Sequence, residues 1–312
     1  MCCFAQPVES VSDTNLFARL SSAGKQFLVY QMKFRSQTPN AMILPLPVAT
    51  PADEQSIEFI SLKDHDNFFK KLDDGFPYVA PPTRSFLGSS ESSKATKSIQ
   101  VHEVGDFIAS FVPTVDDFSR LDPQFVIPKE SWDKIPTYSD YGFAVFQLKS
   151  LQGKPHPMAF EFKTRFADKI FFPTIHIHDG EVHASEKFDH TLYLQHQRFD
   201  ESSGEYHNKA DGLTGYVRSK WTAGEFMPSE LPNGIVDPAL LVHRRKMRGV
   251  LANRDVVAEP LKLKSRSSGF LPMLPFIGTG VAALAGLGWF FKRRNQVRMA
   301  EQQNKTDDST TT

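Results

Sequence analysis

A chain of 312 residues that is 40% hydrophobic and 23% charged has the composition of a folded protein, which excludes wholesale disorder. Its 36 basic residues balance 36 acidic ones, so the chain as a whole is no polyanion binder. Two cysteines, adjacent at Cys2 and Cys3, exclude a disulfide-stapled scaffold and any cysteine-rich zinc module. Phenylalanine stands out, with 27 residues against 3 Trp and 7 Tyr, and there are 21 prolines. That mixture predicts short aromatic strands joined by many turns, an α+β fold that is predominantly β.

Taken in chain order, the first feature is Cys2, which removal of Met1 would expose as an N-terminal nucleophile of the kind some amidohydrolases use. The stretch Phe27 to Lys33 then reappears as Phe143 to Lys149, an offset of 116 that also matches Pro39 with Pro155 and Met42 with Met158. Each copy reads as a strand, a polar loop and a second strand, predicting two related hairpin-based subdomains. These are a β-rich unit over residues 1–80 and a second over residues 99–262, separated by a Ser-rich linker over residues 81–98. Leu62 to Leu72 is a helix candidate. Thr114 with Asp117 resembles a capping box ahead of Phe118 and Leu121. Asp237-Pro238 predicts the start of a basic helix through Leu251 that carries His243-Arg244-Arg245-Lys246-Met247-Arg248. No aromatic interleaving accompanies that block, so no nucleic-acid role is read from it, whereas a nearby bilayer offers anionic head groups.

Six of the ten histidines fall between His176 and His207. At the centre of this cluster is Ile175-His176-Ile177-His178-Asp179-Gly180-Glu181-Val182-His183. Asp-Gly favours a two-residue type I′ turn, which would set His178 opposite Glu181 and His176 opposite His183. Side chains alternate along strands, so His176, His178, Glu181 and His183 would share one face, three imidazoles and a carboxylate able to converge on one ion. Such a donor set suits a divalent transition metal (zinc, iron, nickel or manganese), with Asp189 as a carboxylate partner behind an imidazole.

From Gly269 to Phe291 there is no charged side chain over 23 residues, and Lys292-Arg293-Arg294 follow. That run is long enough to cross a hydrocarbon core of about 30 Å, predicting a single-pass C-terminal transmembrane helix with the lipid bilayer as partner. Gly278, Ala282 and Gly286 at four-residue spacing give a small-residue face suited to self-association. Basic residues stand on both sides of the span, so charge does not assign the side on which the globular region lies. Residues 292–312 read as a basic segment and then a disordered tail.

Cys2-Cys3-Phe4, Leu16-Phe17-Ala18-Arg19, Phe27 to Phe34 and Ala41 to Pro47 resemble a bacterial family of unknown function. Gly105-Asp106-Phe107 and Tyr141-Gly142-Phe143 extend the likeness to about residue 175. The resemblance implies an exported protein ending in one hydrophobic helix followed by basic residues, and assigns no catalytic residue. The sequence therefore points to a membrane-anchored binding or surface protein with a metal at the histidine hairpin. The alternatives are a metal-dependent hydrolase, with His176, His178 and His183 as ligands and Glu181 as ligand or base, and an N-terminal-cysteine amidohydrolase.

Overall fold

The two repeated segments form one folded ribbon rather than two hairpins. In a computed structural model, which describes residues 3–21, 24–77, 105–228 and 231–260, the first strands are β1 (Cys3–Phe4), β2 (Ser10–Leu20), β3 (Lys25–Arg35), β4 (Ala41–Leu46) and β5 (Ile57–Ser61). After α1 (Phe68–Asp74) come β6 (Phe107–Val112), the short α2 (Lys129–Asp133), β7 (Gly142–Leu148), β8 (Gln152–Gly153) and β9 (Met158–Lys163). The chain continues through β10 (Ile170–Phe172), β11 (Ser185–Gln195), α3 (Gln197–Ser202), β12 (Val217–Thr222), β13 (Leu241–Ala252) and β14 (Val256–Ala258).

Eleven of these strands build a large sheet in the order β12-β13-β11-β2-β3-β9-β5 and a small one in the order β1-β4-β7-β6, while β8 adds to β3 and β10 pairs with β14. Within each repeat the first and second strands lie in different sheets. β3 pairs antiparallel with β9, setting Tyr30 opposite Met158, and β4 pairs antiparallel with β7, setting Met42 opposite Phe146. The offset of 116 exchanges these two pairs, so the repeat is real in register but is used reciprocally, each copy completing the other. Both sheets combine strands from residues 1–80 with strands from residues 99–262, which corrects the expectation of two separate subdomains.

Three apolar layers result. Leu16, Leu28, Tyr30 and Phe160 of the large sheet meet Met42, Leu44, Ala144 and Phe146 of the small one in the central layer. Phe17, Val29, Tyr193 and Val242 on the outer face of the large sheet pack under Phe68, Phe69 and Leu72 of α1. The outer face of the small sheet, with Ile43, Phe143 and Val145, is covered by Phe118, Trp132 and Tyr138. Strands buried on both faces explain the unbroken apolar runs Ala41 to Leu46 and Phe143 to Phe146.

Two local expectations change. The segment read as a basic helix is β13, held between β11 and β12, with pairs running from Ser185–Ala252 to Leu194–His243. Its arginines and lysine favour helix intrinsically, but burial of Val242, His243 and Met247 in a central strand outweighs that preference. The helix read over Leu62 to Leu72 is shorter and later, at Phe68–Asp74. At Val115–Arg120 the chain makes a 3₁₀ turn in which Thr114 Oγ1 donates to Asp117 Oδ2 at 2.8 Å, so these two side chains bond each other instead of capping the backbone. The linker over residues 81–98, the span Gly269 to Phe291 and the tail lie outside the described residues. Among the described residues no helix is long and apolar enough to cross a membrane.

Candidate metal centre

The segment between β10 and β11 carries the histidines, and side chains from the β13–β14 link hold it in place. Asp255 Oδ1 accepts the backbone N–H of Thr174 at 2.8 Å and of Ile175 at 3.1 Å, while Tyr138 Oη donates to Oδ2. Asn253 Oδ1 accepts the His176 N–H at 2.7 Å, and its Nδ2 donates to the carbonyls of His176 and His183 at 3.0 Å each. On the other side Ile177 bridges Cys3 in parallel, and the Ile177 and His178 carbonyls accept from Phe4 and Val8.

Those bonds explain why the expected hairpin does not form. The N–H groups of Thr174, Ile175 and His176 and the carbonyls of His176, Ile177 and His178 are bonded elsewhere, so they are not free for a ladder with residues 181–184. The turn chemistry agrees, because a type I′ turn needs positive φ at both central residues. Gly180 has φ 85°, but Asp179 is not among the positive-φ residues, and its Oδ1 instead accepts the Glu181 N–H at 3.0 Å.

The four predicted ligands therefore separate. His176 is fully buried and His178 half-buried, their rings 5.0 Å apart between centroids. Glu181 faces outward to Lys134 at 2.6 Å, and exposed His183 bonds Asp179 at 2.9 Å. The carboxylate that joins these two histidines is Glu186 of β11: ligand atoms of His176, His178 and Glu186 all lie within 4.8 Å of one another. Asp189 bonds Arg248 at 3.0 Å and accepts the Asp13 N–H at 3.0 Å.

Sequence reasoning missed Glu186 and a second buried imidazole, His190. The inner face of β11 reads Glu186, Phe188, His190, Leu192, Leu194, a period-two apolar stripe with polar residues at its start. A histidine on such a stripe was the available signal. His190 is fully buried, stacks on His176 at 5.1 Å with 15° between the rings, and lies in register with Thr14 of β2. Phe188 closes the column at 4.2 Å from His176.

Electrostatics distinguish this cluster from an ordinary buried histidine. Both ring nitrogens of His176, both of His190, Nε2 of His178 and Oγ1 of Thr14 are buried with no hydrogen-bond partner in the protein. Burial holds His176 far below the usual imidazole range and pushes His178 down to about 4, so both rings are neutral and have nitrogen lone pairs to offer. By contrast, buried His243 has Asp200 at 2.7 Å. Asp255, in spite of its three donors, is pushed up to about 6 by burial.

No protein-family model matches the chain and no curated protein matches it. Among solved structures it is similar to baculovirus P35, with 15% identity and a TM-score of 0.44 over 81% of this chain and 97% of that one. A mutated baculovirus P35 after caspase cleavage gives 15% identity and 0.44 over 80% and 100% of the two chains. The caspase-8/P35 complex gives 12% identity and 0.40 over 80% and 97%.

Proposed function

We propose that this chain is a membrane-anchored binding protein whose β-sandwich holds one divalent transition ion through His176, His178 and Glu186. The observation that carries the reading is the set of unpartnered nitrogens on two neutral imidazoles, one fully and one half-buried, beside a half-buried carboxylate. Each buried polar atom without a partner costs about 1–3 kcal/mol, and ligation by a cation removes that cost for nitrogen lone pairs. Imidazole with carboxylate suits zinc, iron, nickel or manganese. The uncharged run Gly269 to Phe291 supports anchoring by its length.

The test is metal content of the full chain purified without a histidine tag, alongside His176→Ala. Near-stoichiometric metal that is lost in the variant supports the reading. No bound metal, and no affinity on titration with Zn2+, Mn2+, Ni2+ or Fe2+, ends it. Anchoring is checked by resistance of the full chain to alkaline extraction from membranes, which deletion of residues 269–291 should abolish.

A further inference from the structure

We propose that β6 is a docking edge for a second copy of this chain, the two copies pairing antiparallel about Ala109 across a two-fold axis. The two main sheets end in β12, β5, β1 and β6. An edge strand offers unpaired backbone groups, and charge, bulges or short length guard it against pairing. Three of these edges are guarded: β12 carries Arg218 and Lys220 and shifts register, β5 carries Glu58, and β1 is two residues long. The fourth, Phe107-Ile108-Ala109-Ser110-Phe111-Val112, has no charge and no proline, and it pairs with β7 without a register shift.

Register fixes which backbone groups face outward. The Lys149 N–H donates to the Asp106 carbonyl at 3.1 Å, and the Leu148 N–H donates to the Asn40 carbonyl at 2.9 Å. β7 therefore bonds the even-numbered residues of β6, and the N–H and C=O groups of Phe107, Ala109 and Phe111 point away from the sheet. Among the described residues those groups have no partner. They are symmetric about Ala109, so a second β6 meets them group for group, with Phe107 opposite Phe111 and Ile108 opposite Ser110. Ala109 and Phe111 also line, with Ile57 and Phe59 of β5, a groove of about 400 Å3 between the edges of the two sheets. The two-fold axis brings the grooves of both copies together and removes their apolar walls from water. Charge agrees with this pairing, which sets Gly105 opposite Pro113 of the second copy. The Lys149 ammonium is held on the Gly105 carbonyl at 2.8 Å, and Asp116 and Asp117 follow Pro113, so opposite charges face each other at both ends.

Sedimentation equilibrium of the full chain in detergent should show a dimer whose population rises with concentration. Ile108 is exposed on the outer face of β6, and Ser110 shares that face. Ile108→Lys with Ser110→Lys sets like charges directly opposite and should weaken the dimer at least about tenfold. Mixing that variant with Ile108→Glu/Ser110→Glu should restore a one-to-one heterodimer, which misfolded chains would not form. In wild type, hydrogen exchange at the Phe107, Ala109 and Phe111 amides should slow at least about tenfold as the dimer forms. A dimer unchanged by the lysines overturns the proposal. So does exchange at those three amides that ignores concentration, and that arm needs no variant. A wild-type chain that stays monomeric throughout also overturns it and leaves the edge to a strand from a different protein.

Discussion

The layer between the two sheets has two ends that obey different rules. Around Phe146 the space is filled by aromatic edges: Phe107 lies at 5.3 Å and 90°, Phe59 at 5.6 Å and 84°, and Phe160 at 6.0 Å. Around His176 the same layer holds five nitrogens of three imidazoles, and Thr14 Oγ1, buried with no partners in the protein. Strand β11 spans the change, turning from Glu186 and His190 to Leu192 and Leu194 along one face. The first end is stable because it is apolar and close-packed. The second is stable to the extent that something other than protein bonds its nitrogens. Buried His243 shows what a self-sufficient alternative looks like, since Asp200 satisfies it at 2.7 Å.

The sharpest way to break this contrast is at the apolar end. Phe146→Ala removes a fully buried ring from the middle of the ribbon and should cost about 3–5 kcal/mol, independent of metal. Equilibrium urea unfolding with and without chelator measures both quantities. If chelator changed the penalty for Phe146→Ala, the two ends would be coupled and the distinction between them lost.

A smaller effect is expected at Asp255, which carries the histidine segment. Removing its carboxylate in Asp255→Ala strands the Thr174 and Ile175 N–H groups and Tyr138 Oη, a loss of about 2–3 kcal/mol. The pH dependence has a definite sign. Burial raises the folded-state pKa from 3.8 to about 6, so protonated Asp255 favours the fold at low pH, and that contribution is lost as pH rises through 6. Asp255→Asn should flatten stability between pH 4 and 6 when chelator is present. The buried imidazoles act in the opposite sense, because a neutral His178 favours the fold above its unfolded pKa and loses that contribution as pH falls toward 4. Urea midpoints across this window in Asp255→Asn and His178→Gln should therefore shift in slope in opposite directions.

Asn253 comes next. Its amide makes bonds at 2.7, 3.0 and 3.0 Å to the backbone of His176 and His183, so Asn253→Ala should cost about 1–3 kcal/mol. Metal affinity should fall with it, because the amide fixes the backbone from which His176 projects. Isothermal titration with Zn2+ decides this. Unchanged affinity in a destabilised variant would show that the histidine column is positioned by the sheet alone.

How much of this was legible in the sequence follows from which forces were local. The β-rich class, the 116-residue repeat and the burial of Phe27 to Phe34 are written in composition and apolar runs, which sense burial directly. The reciprocal use of the repeat was hidden, because pairing Tyr30 with Met158 depends on contacts more than a hundred residues apart. His176 and His178 were legible as candidate ligands from their alternation. Glu186 was not, since its approach depends on how residues 174–178 are bonded by Asn253, Asp255 and Phe4. The basic run at Arg244 to Arg248 misled for a related reason. Its charge pattern suits a helix, and the pairing with β11 and β12 that makes it a strand comes from distant parts of the chain, as do Asp73, at 2.6 Å from Arg244, and Asp189, at 3.0 Å from Arg248.

The smallest expected effect is also the one that separates the local reading of the sequence from the folded arrangement. Glu181 and His183 would be ligands if Asp179-Gly180 made a tight hairpin, and both point to solvent where the segment is instead stapled from behind. Their contacts, Glu181 with Lys134 and His183 with Asp179, are surface ion pairs that salt screens. The imidazolium of His183 gains from Asp179, which raises its pKa, yet both groups stay hydrated on either side of the titration. Glu181→Gln with His183→Ala should thus leave the urea midpoint and the Zn2+ affinity where they are in wild type, at neutral pH and moderate salt. Glu186→Gln alone should weaken Zn2+ binding without moving Glu181 or His183, because it removes charge from the donor set itself. Placed side by side, these variants assign the carboxylate: loss of affinity in the first would restore the hairpin, and loss only in the second fixes the ion to the buried column.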